Sequence, residues 1–418
     1  MKRLATLAAV IFAASGLLYA ADTMSGSRSE RIRTLRMAPL GTPLGLPVTT
    51  LADPVPLVLS FDHLASDREF FRYRLVHCDA NWRPDGLVDS EFLDGFNEGT
   101  IDDYEYSQAT MVPYVHYRLA IPNADVAPTI SGNYLLQVYN ENEPDSIVAQ
   151  QRFMITEQTA PVRFDVSPQT DVDYRNAHQQ LEIYVDTERA GVDDVFNDML
   201  VVVGQNGRLD TETSVRRPLR FVGTEAVFAH APQLIFEAGN EYRRFETVTD
   251  RYPGMGVDDI EYFEPYYHYV LAIDYPRDDS RYQFDRTQNG GYVVRRSGAN
   301  DSDTEADYGV VHFSLEMPEI PGAMVFIDGD LTDRRFDANA RMTYNHTNGR
   351  YERAMLLKQG SYNYQYVVVP PGGRRAYTAP IEGDKWETDN FYTVRVYNRR
   401  RGERYDRLIG FGAANINQ

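Results

Sequence analysis

The sequence predicts an all-β protein built as three consecutive β-sandwich-like domains. Three observations carry this prediction. Tyrosine is abundant, with 29 tyrosines against 20 phenylalanines and 2 tryptophans, and aromatic residues favour strands. Short runs of alternating apolar and polar residues recur, separated by clusters of Gly, Pro, Asn and Asp, which is the rhythm of sandwiches. Helical periodicity is not sustained over a window of about eleven residues anywhere beyond the first twenty. At 418 residues the chain also exceeds what one core supports.

Lys2 and Arg3 open the chain, followed by an apolar run over residues 4–18 and small residues at Ala20 and Ala21. This pattern predicts a secretory signal peptide over residues 1–21. The run is short for a membrane span of about 20 residues, and no cysteine follows it to carry a lipid. The expectation is a soluble periplasmic protein that does not insert directly into the membrane. A polar arm with Arg28, Arg31, Arg33 and Arg36 leads into strand-like runs at 54–61, 70–77, 114–121, 133–139 and 151–156. Together they predict a first β domain over residues 22–158. Thr159, Ala160 and Pro161 read as a linker. Runs at 162–166, 180–186, 199–203, 233–237 and 266–274 predict a second sandwich over 159–307. The polar, Asp- and Ser-rich stretch 295–307 marks its end. Runs at 308–315, 323–327, 350–357, 363–369 and 392–397 predict a third domain over 308–418.

The formal charge is −19 at pH 7, so nucleic acid and anionic lipid are repelled rather than bound. Cys78 is the only cysteine, which excludes an internal disulfide. In an oxidising compartment a lone thiol persists by being buried. His77 precedes it, but neighbours on a strand face opposite sides and do not form a nucleophile–base pair.

Residues 61–117 stand apart. They hold Cys78, Trp82 and, between His77 and Tyr106, nine carboxylates (Asp79, Asp85, Asp89, Glu91, Asp94, Glu98, Asp102, Asp103, Glu105) against Arg83 alone. This is a polar, aromatic-rich insertion between strands, and loops on rigid sheets commonly carry function. Read as a calcium loop, residues 94–105 place Gly99 sixth and Glu105 twelfth, but Phe96 takes the third position, where an oxygen ligand is required. The eight histidines lack zinc-ligand spacing. A nucleophile elbow, a phosphate loop and a dinucleotide fingerprint are missing from the sequence. Acid pairs are too numerous to single out a glycosidase pair, and a secreted hydrolase rests on nothing else. The sequence therefore predicts no catalytic residues, no metal and no cofactor: a protein that is not an enzyme. Residues 398–404, rich in arginine, read as a hairpin turn or interaction spot.

Met324 to Asp330, with Tyr351, Glu352 and the run 358–366, resembles the early-set immunoglobulin-like, glycogen-binding modules. In those modules exposed aromatics stack on sugars, a role open here to Trp386 and to Tyr362, Tyr364 and Tyr366. Alternating tyrosines are also ordinary half-buried strand residues. The resemblance supports an alternative function, a periplasmic glycan-binding β-sandwich protein.

The central stretch resembles the N-terminal domain of the type IX secretion system plug proteins. The motifs are His77-Cys78-Asp79 with Trp82, Glu91 with Leu93, Gly95 and Phe96, Ile101 with Asp103 and Tyr104, and Tyr114 with His116 and Tyr117. Further matches are Ala306-Asp307-Tyr308 leading into 311–315, Leu357-Lys358-Gln359-Gly360, Glu387-Thr388-Asp389-Asn390 and residues 404–410. Asn81 and Gln108-Ala109 depart from the family pattern. The resemblance implies a soluble plug that closes the periplasmic mouth of a large outer-membrane β-barrel translocon when no cargo is engaged. It implies partner contacts in the same stretch, for which the expected residues are Asp79, Trp82, Glu91, Phe92, Asp94, Phe96, Asp102, Asp103, Tyr104, Tyr114 and His116.

Overall fold

The computed structural model describes residues 22–416, so the signal peptide expected over 1–21 lies outside the described residues. The protein is all-β, as expected. The first sandwich packs two sheets face to face. One is ordered Gly26–Ser27, Glu143–Thr156, Gly132–Asn140, Phe71–Cys78, Gly99–Thr100, with Val48–Thr50 beside Glu143–Thr156. The other is ordered Ile32–Pro39, Leu57–His63, Val115–Ile121, Asp103–Tyr106. Alternate residues of both sheets point inward, as the period of a strand requires. They make a core around Phe61, Phe71, Tyr117, Tyr134 and Phe153. Phe61 and Tyr117 stack with ring centroids 5.1 Å apart, and Phe71 meets Tyr117 edge-on at 5.1 Å, geometries that ring quadrupoles favour.

The second sandwich departs from the expected segmentation. One of its sheets is local, built from Val162–Ser167, His178–Asp186, Glu225–Phe228, Arg220–Val222 and Ile235–Glu237. The other is ordered Arg208–Val215, Met199–Gln205, Phe391–Asn398, Arg407–Asn415. The final hairpin of the chain therefore belongs to the second sandwich. Met199–Gln205 is buried along its whole length, so it needs a strand on each edge and cover on each face. Its neighbour in sequence, Arg208–Val215, supplies one edge. The other is filled by Phe391–Asn398, paired in register from Met199↔Asn398 to Gln205↔Tyr392. Tyr392, Val394, Val396 and Ile409 accordingly share a core with Leu181, Ile183 and Phe228.

The third sandwich lies between these two portions of the second. Its sheets are Arg243–Glu246, Gly360–Val369, Tyr292–Val294 with Met324–Asp328, and Val257–Phe263, Tyr266–Leu271, Tyr308–Glu316, Arg350–Lys358, Thr343–Asn345. Phe245, Tyr269 and Tyr292 share its core with Phe313, Tyr362 and Tyr366. The boundary read at 307/308 thus falls inside this sandwich. A local polar stretch such as 295–307 signals a loop, and only strand pairing tells whether that loop lies within a domain or between two.

Candidate partner-binding surface

Strand Phe71–Cys78 lies between Gly132–Asn140 and the short Gly99–Thr100, and its last two residues diverge as strand geometry requires. His77 reaches Asp85 (Nδ1 to Oδ2, 2.5 Å) and the Ser131 carbonyl (3.2 Å). Cys78 points to the other face, against Trp82 and Leu135. Burial, then the Asp85 and Asp79 carboxylates, push its thiol up to about 12, so the nucleophilic thiolate is scarce.

The chain then turns sharply. The Asp79 carboxylate accepts the backbone N–H groups of Asn81 (2.8 Å) and Arg83 (2.9 Å), an Asx-type turn. Trp82 sits at φ 63°, a conformation that side chains rarely adopt. The turn drops its ring beneath the Arg152 guanidinium, 4.5 Å from the centroid. Trp82 is buried. The His-Cys-Asp-x-x-Trp motif is therefore a folding device in which one residue shapes the turn and another anchors it.

The short helix Asp89–Phe92 follows. Glu91 accepts the Val88 N–H (2.8 Å) and, with its other oxygen, Arg404 Nη1 (2.8 Å). Phe92 is buried beside His77 and Tyr134. Leu93–Gly95 pairs with Val126–Pro128. Gly95 lies at φ +101°, and a Cβ there would sit 2.0 Å from the Asp125 carbonyl, so this close crossing requires glycine. Phe96 emerges from it 83% exposed. Asp94 and Glu98 are exposed beside it, and Asp102 is exposed further on, accepting the Thr100 hydroxyl. Asp103 and Glu105 both pair with Arg118, which leaves the loop without the convergent oxygens of a calcium site. Tyr104 is half-buried, and its hydroxyl accepts from Arg68 at 2.8 Å.

Tyr114 and His116 lie in the seam with the third sandwich. The Tyr114 hydroxyl donates to the Ala306 carbonyl (2.8 Å), and the Lys358 ammonium lies 4.1 Å from its ring centroid. His116 Nδ1 is 2.6 Å from Asp62 Oδ1. Asp62 Oδ2 accepts from Lys358 Nζ (2.5 Å) and the Tyr308 hydroxyl (2.6 Å). The Asp307 carboxylate takes the backbone N–H groups of Met111 (2.6 Å) and Val112 (3.1 Å). Burial alone would raise the Asp62 carboxyl, but the Lys358 ammonium and then His116 outweigh it and hold the group below its ordinary value of 3.8. Burial pulls Lys358 below its ordinary value as well. Three donors, His116, Lys358 and Tyr308, converge on Asp62 and favour its ionised form.

The expected contact residues thus divide. Trp82, Phe92, Tyr114 and His116 are buried within the protein and are not surface anchors, which corrects the expectation that they meet a partner. Asp79 is spent on its turn, Glu91 on Arg404, and Asp103 on Arg118. Asp94, Phe96 and Asp102 lie on the open surface, as does Asp103 beside Arg118. The motifs later in the chain complete the internal seams. Ala80 N–H donates to Asp406 Oδ2 (2.9 Å), and the Tyr397 hydroxyl donates to Asn133 Oδ1 (2.8 Å), between the first and second sandwiches. Asn206 joins Asn390 beside its neighbouring strand (2.7 Å) and crosses to Asn289 of the third sandwich (3.1 Å). Asp62 and Asp406 were missed as partners because nothing local couples them to residues 296 and 326 positions away. Their one available signal was that both seams join stretches carrying family motifs.

The proposed sugar platform is likewise internal. Tyr362, Tyr364 and Tyr366 are buried in the third core, Tyr364 and Tyr366 with their hydroxyls on Asp274 at 2.7 Å. Trp386 is half-buried, with Arg175 5.5 Å from its ring centroid. The arginine run is the turn of the last hairpin, and Arg404 crosses from it to Glu91 and the Gly86 carbonyl.

Sandwiches joined by buried polar seams define the class: an all-β, multidomain protein with no helix long and apolar enough to cross a membrane among the described residues. Residues 32–157 match the family described as the type 9 secretion system plug protein 1st domain. The crystal structure of a hypothetical protein from Parabacteroides merdae ATCC 43184 is 38% identical, with a TM-score of 0.93 over 94% of this chain and 99% of that one. An enterococcal surface protein (partial N-terminal region) is 11% identical with a TM-score of 0.18, over 91% of this chain and 93% of that one. A serine-rich repeat adhesion glycoprotein from Streptococcus agalactiae is 10% identical with a TM-score of 0.14, over 90% of this chain and 96% of that one. Neither of these two likenesses carries an argument. No curated protein matches the sequence. Over residues 32–157 the chain therefore carries the first domain of the type 9 secretion system plug proteins. That family is tied to secretion and is not a known enzyme family.

Proposed function

We propose that this protein is the non-enzymatic periplasmic plug that closes the periplasmic mouth of the type IX outer-membrane translocon when no cargo is engaged. The observation that carries the reading is the match of residues 32–157 to the plug first domain. The seams support it. A plug must resist deformation, and buried hydrogen-bonded ion pairs hold neighbouring sandwiches in one arrangement. The acidic chain is kept off anionic lipid and free to meet a protein rim.

The docking surface in this reading is the exposed remainder of the central stretch. Phe96 is the anchor, because a largely exposed aromatic gains most on burial. Asp94 and Asp102 flank it and set orientation and on-rate more than affinity. A standing seal buries at least about 1,000 Å² in total, and it dissociates when cargo passes. Deleting the gene while the translocon is still made tests the reading. The expected result is an outer membrane leaky to large antibiotics, with the protein recovered in the periplasm and co-purifying with the barrel in the parent strain. An intact barrier after deletion, or a protein that never co-purifies, overturns it.

A further inference from the structure

Strand Val257–Phe263 forms the edge of a third-domain sheet, and its substantial contacts are with its hairpin partner Tyr266–Leu271 alone. The hairpin closes on the pair Phe263↔Tyr266 around a two-residue turn. The alternation of an antiparallel ladder then sends the backbone groups of Glu261 and Phe263 inward to the partner strand, and those of Ile260 and Tyr262 outward. The Ile260 N–H, at the open edge, is met by the Asp259 carboxylate at 2.8 Å instead of by a strand. Natural edges are ordinarily kept short, covered, bulged or charged. Here the bulge sits only at the start, between Val257 and Asp259, which leaves the rest regular.

The chemistry of the edge is one-sided. Asp258, Asp259, Glu261 and Glu264 carry negative charge, with no cation between residues 257 and 264. Antiparallel self-pairing would bring these carboxylates together, which disfavours a second copy of the chain. Protection alone would not place exposed aromatics there as well. Yet Tyr262 is 46% and Phe263 58% exposed, on opposite faces of the strand as its period dictates. Tyr262 rests on Tyr267 (5.1 Å) and Phe263 on His268 (5.2 Å), so both rings are held upright beside the open ladder.

We propose that Val257–Phe263 is a strand-addition site for an extended, basic segment of a partner protein. The outward N–H and carbonyl of Tyr262 and the Ile260 carbonyl supply the ladder, the Ile260 N–H joins it as Asp259 turns to a basic side chain, the carboxylates select lysine or arginine, and the two aromatics hold apolar side chains on either face. The site is independent of the plug reading and lies in a different domain from the surface proposed above.

The test is binding of a labelled peptide, alternating lysine with valine over the length of the strand, to the full chain by fluorescence anisotropy. The expected result is saturable binding that weakens in about 0.5 M salt, where screening acts within a few ångströms. An otherwise identical peptide with glutamate for lysine, and the lysine peptide N-methylated at alternate residues, are expected not to bind. Tyr262→Pro removes an outward N–H without breaking the hairpin ladder and is expected to abolish binding at unchanged thermal stability. Should that variant not fold, the N-methylated peptide asks the same question from the other side. Asp259→Lys with Glu261→Lys is expected to weaken binding at least about tenfold, since like charges then face each other. Failure of the lysine peptide to bind, equal binding of the N-methylated or glutamate peptide, or undiminished binding by folded Tyr262→Pro each overturns the proposal.

Discussion

Lys358 Nζ lies 2.5 Å from Asp62 Oδ2, with both side chains withdrawn from solvent. The pair joins the end of strand Leu57–His63 in the first sandwich to the end of Arg350–Lys358 in the third, across 296 residues of chain. Removing one partner leaves an uncompensated buried charge. Lys358→Met is therefore expected to cost about 3–5 kcal/mol in denaturant unfolding, and Asp62→Asn added to it to recover most of that loss. Equal destabilisation by the single and double variants would show that packing, not charge, holds the seam.

The same carboxyl sets an acid limit. Its folded value is depressed, so the stability it contributes is present above 3.8 and is lost as pH falls through the lower folded value. Unfolding followed from pH 5 downward is expected to show the wild type losing stability more steeply below 3.8 than the Asp62→Asn, Lys358→Met double variant does. Parallel curves would remove Asp62 from the account.

Cys78 is expected to react with a thiol reagent at pH 8 only on unfolding, because it is buried and its thiol is pushed up to about 12. Cys78→Ser places a hydroxyl against Trp82 and Leu135 and is expected to cost about 1–3 kcal/mol. Rapid labelling of the native protein would contradict the packing described.

Asp406→Ala removes the acceptor of the Ala80 N–H and of the Arg399 guanidinium. The expected loss is about 1–3 kcal/mol, the penalty for a donor left unsatisfied. Hydrogen exchange is expected to quicken at residues 79–83 first, as the seam between the first and second sandwiches loosens. Exchange rising equally throughout the first sandwich would place the effect elsewhere.

Phe96→Ser together with Asp94→Lys and Asp102→Lys alters exposed side chains and is expected to change stability by no more than about 0.5 kcal/mol per site. Co-purification with the translocon is expected to fall while folded protein is retained. Phe92→Ala is expected to cost about 3–5 kcal/mol and to reduce the yield of folded protein, since Phe92 is buried. Full co-purification by the folded surface variant would put the docking site outside this stretch.

The all-β class and many strands were legible in the chain, because alternation and turn residues are local signals that act within a few residues. Separation of Cys78 from His77 followed from strand period, and its burial from being a lone thiol in an oxidising compartment. The spelling of residues 77–117 identified the family, yet it did not say which of those residues meet water. Trp82 and Phe92 in the acidic insertion, and Tyr114 and His116 at the strand after it, are candidates for partner contact only if they reach the surface. They became internal because Arg152, His77, Ala306 and Asp62 stand where they do once the sheets stack.

Two features were set only by packing across the chain. Met199–Gln205 takes Phe391–Asn398 as its neighbour, so the third sandwich is enclosed within the second, and no composition shift marks that crossing. Asp62 finds Lys358, and Asp406 finds Ala80, through contacts whose worth exists only after water is expelled from the seam. Strand and turn preferences are energies of neighbouring residues, whereas a buried ion pair is an energy of place. The first kind is written in the order of residues, and the second arises when distant parts of the chain exclude solvent together.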